Sequence, residues 1–86
     1  MKEKVPKKLN SNLMIKQYQK VYILETGHVI NQTGKIILDI IDGRKTISEL
    51  IEKIARTYPN INKEKIGKEI NDFLSRLEEE HIIQLK

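Results

Sequence analysis

The apolar pattern of this chain changes its period at Asn31. Before it lie three short runs rich in β-branched and aromatic residues: Leu13-Met14-Ile15-Lys16-Gln17-Tyr18, Val21-Tyr22-Ile23-Leu24 and His28-Val29-Ile30. After it, apolar residues recur at spacings of three and four. The first pattern is that of strands and the second that of helices. With 86 residues there is room for one small domain, which buries only about 60–65% of its unfolded surface. The fold class this dictates is α+β: a three-stranded antiparallel β-meander followed by a three-helix, winged helix-turn-helix unit.

Turn and cap residues punctuate both halves. Gln19-Lys20 separates the first two strands and Thr26-Gly27 the second from the third. Asn31 suits a helix cap, its side-chain oxygen accepting from the backbone N–H of Thr33 or Gly34. Ile36, Ile37, Ile40 and Ile41 then give an apolar face to a helix running to about Asp42, where Gly43 stops it. Gly34 costs roughly 1 kcal/mol against Ala inside a helix, and close packing of helix on sheet would explain it. Thr46-Ile47-Ser48-Glu49 reads as a capping box, so a second helix starts at Ile47 and carries Leu50, Ile51 and Ile54 to its end before Tyr58-Pro59. Asn62 caps the third helix, Lys63 to about Glu80, with Ile66, Ile70, Phe73, Leu74 and Leu77 on one stripe. Ile82-Ile83-Gln84-Leu85 suits a short closing strand. Residues 1–12, rich in Lys and Asn and without a period, read as a flexible basic arm ahead of a domain spanning 13–86.

Charge and residue chemistry exclude several function classes. Cysteine is absent, which removes disulfides, thiolate metal sites and a Cys nucleophile, and fits a reducing, cytoplasmic location. No apolar run approaches the roughly 20 residues of a membrane span, and the amino terminus lacks a signal-peptide core. His28 and His81 have no ligand partners near them in sequence, the serines sit in no strained elbow, and no phosphate-cradling glycine loop occurs. An enzyme is not expected, nor a metal or cofactor. Glu78-Glu79-Glu80 reads as a solvated face, because successive helix positions diverge by about 100°.

The net charge of +4 raises the question of nucleic acid. Its source is the first twenty residues, which hold six lysines and one glutamate. The third helix, which would enter a DNA groove, carries Lys63, Lys65, Lys68 and Arg76 against Glu64, Glu69, Asp72, Glu78, Glu79 and Glu80. That balance opposes docking on phosphates, leaving a small winged-helix DNA-binding regulator as the alternative reading. The same architecture can instead capture a peptide by strand addition at an open sheet edge.

The stretch Val21 to Gly43 resembles the PqqD-like family, whose members show a strand ending in Asn, then x-T/S-G/A, an apolar helix and an Asp-Gly stop; here these are Ile30-Asn31, Gln32-Thr33-Gly34 and Asp42-Gly43. Arg44-Lys45-Thr46-Ile47, Tyr58-Pro59 and Ile70-Asn71-Asp72-Phe73-Leu74 extend the resemblance over about Leu13 to Leu85. It departs at Ile37-Leu38, where many members carry Trp, and at His81-Ile82, where Gly often precedes the last apolar pair.

The resemblance implies a recognition element for ribosomally synthesised, post-translationally modified peptides. Such a domain does no chemistry; it binds the leader segment of a precursor peptide and delivers it to a maturation enzyme, a radical S-adenosylmethionine protein or a leader peptidase. The leader would pair with the third strand at His28, Val29, Ile30 and Asn31, and lie against Ile66, Glu69, Ile70 and Phe73 of the third helix. Periodicity alone would make Ile66, Ile70 and Phe73 ordinary core.

Overall fold

A computed structural model describes residues 3–10 and 12–86. Its elements run β1 (Pro6–Lys8), β2 (Ile15–Tyr18), β3 (Val21–Leu24), β4 (Val29–Ile30), α1 (Gln32–Ile40), α2 (Ile47–Thr57), α3 (Lys63–Glu79) and β5 (Ile83–Leu85). β2, β3 and β4 form the antiparallel meander, and the three helices follow it, giving the α+β fold the period change dictates.

The meander turns through left-handed backbone at two positions, a glutamine and a glycine. Gln19 takes a left-handed φ of 56° in the β2–β3 turn, and Gly27 one of 93° between β3 and β4. Tyr18 pairs with Val21, Ile15 with Leu24, and Tyr22 with Ile30. Side chains alternate across a strand, so Ile15, Tyr22, Leu24 and Ile30 share the face that meets the helices. Lys16, Tyr18, Ile23 and Val29 occupy the other, which is exposed.

Each helix begins at its cap. Asn31 Oδ1 accepts from the Gly34 amide at 2.8 Å. Thr46 and Glu49 complete the reciprocal capping box. Asn62 Oδ1 accepts from the amides of Glu64 and Lys65. α1 closes at Ile40, two positions earlier than the periodicity indicates, because Ile41 is already extended and Gly43 turns left-handed with φ 77°. Asp42 then accepts from the amides of Arg44 and Lys45 and orders the loop into α2. At the end of α3, His81 holds the left-handed position with φ 60°, while the Ile82 amide reaches back to the Leu77 carbonyl at 2.9 Å. A histidine, not a glycine, thus makes the turn ahead of the last apolar pair, Ile82-Ile83.

The core is wholly aliphatic. Leu24 and Ile30 from the meander meet Ile37, Leu38 and Ile41, Leu50 and Ile54, and the α3 stripe Ile66, Ile70, Leu74 and Leu77, with Ile82 and Ile83 closing it. Leu38 lies deepest on α1, whereas Ile36 and Ile40 are only partly buried. The core face is thus rotated from the Ile36/Ile40 pair towards Leu38.

The reading of residues 1–12 as a flexible arm is corrected over Pro6–Lys8. Those residues pair antiparallel with β5, and Pro6 is among the most deeply buried side chains. β5 needs a partner to satisfy its backbone, and the amino-terminal segment supplies it. Val5 and Lys86 exchange two further backbone hydrogen bonds, of 2.7 and 3.2 Å. Lys4 and Glu3 extend the attachment: the Lys4 carbonyl accepts from the Ile47 amide, and the Glu3 carboxylate from the Ser48 amide at 2.6 Å.

Candidate functional site

β4 is an edge strand of the meander, and no strand among the described residues covers its outer side. The register determines which of its backbone groups are unpaired. Leu24 donates to the His28 carbonyl at 2.8 Å, so His28 and Ile30 turn their N–H and C=O groups towards β3. Val29, between them, turns its N–H and C=O outwards, and its side chain is 61% exposed.

That edge faces the carboxyl half of α3 across a groove of about 530 Å³. Ile30, Phe73 and Leu77 supply apolar lining; Val29, Asn31, Arg76 and Glu80 form its rim. A second recess of about 360 Å³ continues the groove past the start of α1, sharing Asn31, Phe73 and Arg76 and adding Thr33, Gly34, Ile37, Glu69 and Asp72. Gly34 matters at this junction. A Cβ there would lie 3.1 Å from Phe73 Cζ and 3.2 Å from Ile30 Cβ, so only a residue without a side chain lets α1, β4 and Phe73 meet so closely.

Electrostatics divide the groove along its length. Arg76 stands between Glu80 at one end and Asp72 and Glu69 at the other. His28 Nε2 lies 2.9 Å from Glu80 Oε2, and its Nδ1 lies 2.6 Å from Thr26 Oγ1. A carboxylate only accepts, so the neutral ring carries its proton on Nε2 and takes the threonine hydroxyl on Nδ1. This contact ties β4 to the end of α3. Glu80 and Glu78, which accepts from the Leu85 amide at 3.3 Å, are therefore exposed but partnered members of the glutamate run.

The sequence-derived site residues divide into two groups. His28, Val29, Ile30, Asn31 and Phe73 line one groove, and Glu69 the recess that continues it. Ile66 and Ile70 are 4% and 1% exposed and belong to the core. Arg76, Leu77 and Glu80 are groove residues that the sequence reading did not select. Their spacing from Phe73, at three, four and seven positions, was the available signal for one continuous helix flank.

A depression of about 640 Å³ along α2 is lined by Lys45, Ser48, Glu49, Glu52, Lys53, Arg56 and Thr57. It is a helix flank of mixed charge without a sheet edge. Among the described residues, no three His, Cys, Asp or Glu side chains gather to hold a metal ion, and no helix is long and apolar enough to cross a membrane.

A three-stranded sheet with an open edge, set against the last of three helices, defines a small α+β module. Residues 21–83 match the family described as coenzyme PQQ synthesis protein D (PqqD), and the chain belongs to that family. A protein named PqqA binding protein, from Pseudomonas syringae pv. tomato (strain ATCC BAA-871 / DC3000), is 32% identical over 56 residues, covering 65% of this chain and 55% of that protein. The chain thus spans about half the length of this relative. No solved structure matches the chain.

Proposed function

We propose that the chain binds the leader segment of a ribosomally synthesised precursor peptide as an added strand on β4, holds it against α3, and delivers it to a maturation enzyme. The observation that carries this reading is Val29, whose backbone donor and acceptor are turned to a groove with an apolar floor. Main-chain pairing would supply affinity, and the α3 flank selectivity. Membership of the PqqD family and the name of the Pseudomonas relative, a binding protein for PqqA, support a peptide partner. The carboxylates of Glu69, Asp72 and Glu80 along the flank oppose a nucleic-acid backbone.

Titration of 15N-labelled protein with the leader of a precursor peptide encoded beside its gene tests this. Amides of His28 to Asn31 and of Glu69 to Glu80 are expected to shift. Shifts confined to the α2 flank would overturn the placement. Val29→Pro removes the outward donor without removing a β3–β4 hydrogen bond, so it is expected to weaken binding while the far-UV circular dichroism stays unchanged.

A further inference from the structure

The groove does not end at α1. Beyond the recess, Thr33, Ile37 and Glu69 also line a third cavity, of about 70 Å³, closed by Ile54, Tyr58, Ile61, Ile66 and Ile70. It lies where α1, α2 and α3 meet. Apart from Glu69, Thr33 and Tyr58 its lining is aliphatic, five isoleucines in all, and Ile61, in the turn between α2 and α3, is 43% exposed. We infer that this cavity is a specificity pocket for one aliphatic side chain, Val, Leu or Ile, of the same peptide that pairs with β4. The inference rests on the strand-addition reading above and extends that site to a third element, α2.

Size and continuity carry it. An apolar cavity of about 150 Å³ holds a benzene ring, so one of half that volume accepts a branched aliphatic group and excludes an aromatic one. The pocket shares Thr33, Ile37 and Glu69 with the recess that continues the groove, so the chain lying in the groove is the nearest source of an occupant. The lining of the whole channel follows α3 from Glu80 back to Ile66. At about 1.5 Å per helical residue this is about 21 Å, or six to seven residues of extended peptide at about 3.3 Å each. β4 is two residues long. Strand pairing therefore engages one end of the peptide, and the far end, past the start of α1, reaches the pocket.

The test pans a display library of random peptides, about ten residues long, against the full chain and its Val29→Pro and Ile61→Ala variants. Ile61 is an exposed turn residue, so its truncation widens the pocket while leaving the core intact. Peptides enriched on the parent chain and lost on Val29→Pro are expected to share Val, Leu or Ile at one position. Replacing it by Ala is expected to weaken binding roughly tenfold or more, the scale one aliphatic side chain supplies. On Ile61→Ala the same position is expected to shift to Met or Phe. Val29-dependent peptides with no fixed aliphatic position, or an unchanged preference on Ile61→Ala, would overturn the pocket and leave strand addition standing. If no enriched peptide depends on Val29, strand addition fails and the pocket falls with it.

Discussion

Asp42 shows how one side chain can hold a connection. Its carboxylate pairs with the Lys45 ammonium at 2.7 Å and accepts from the Lys45 and Arg44 amides, both at 2.9 Å. These partners, the Lys45 side chain foremost, hold its pKa far below the ordinary carboxylate value. A carboxyl group whose pKa is depressed by folding stabilises the folded state above its unfolded pKa, and that contribution disappears as pH falls through the folded pKa. Asp42→Asn is therefore expected to lower the urea midpoint at pH 7, and the gap to the parent chain should begin to close below about pH 4. A gap that stays constant to pH 3 would show that the turn owes nothing to the charge.

Among the elements, the helix starts were the most legible features of the sequence. Asn31, Thr46 and Asn62 each cap as their side-chain chemistry requires, because a cap depends only on residues within one turn. The α1 core face was less legible, since the apolar residues clustered around Leu38 fit more than one rotation and only packing against the sheet and α2 chooses among them. β1 was the least legible, because its partner β5 lies at the opposite end of the chain and Pro-Lys-Lys carries no strand signal. The groove was half legible: the β4 wall follows from the meander, while Arg76 and Glu80 enter it only once α3 is laid across the sheet. Gly34 is where these elements come closest. Gly34→Ala gains about 1 kcal/mol of helix propensity and offsets it with contacts on Ile30 and Phe73. We expect a thermal midpoint little changed, Phe73 ring resonances displaced, and weaker peptide binding; unmoved Phe73 resonances would show that the groove has slack there.

For the whole molecule, residues 3–8 attach to both the closing strand and the start of α2. Glu3 accepts from the Ser48 amide, and the hydrogen bonds of Ser48 keep its carboxyl pKa below the ordinary value. Removing residues 1–9 would strip Pro6 from the core and uncover Ile83, one of the most deeply buried side chains. The expected cost is about 2 kcal/mol, several degrees in the calorimetric midpoint of a domain this size. A truncated chain that melts with the parent would make the segment dispensable. The helices and the meander should survive at low temperature, because the remaining core residues lie outside the deleted segment.

The hydrogen bonds between Val5 and Lys86 give the ribbon of β1 and β5 a mechanical property. Tension applied between these two residues acts at the open end of an antiparallel pair and across the strands. The rungs would open in succession, as in a zipper, rather than resist together in shear. Tension drawn between Val5 and Lys86 would thus open this ribbon before it reached β2 on one side and α3 on the other.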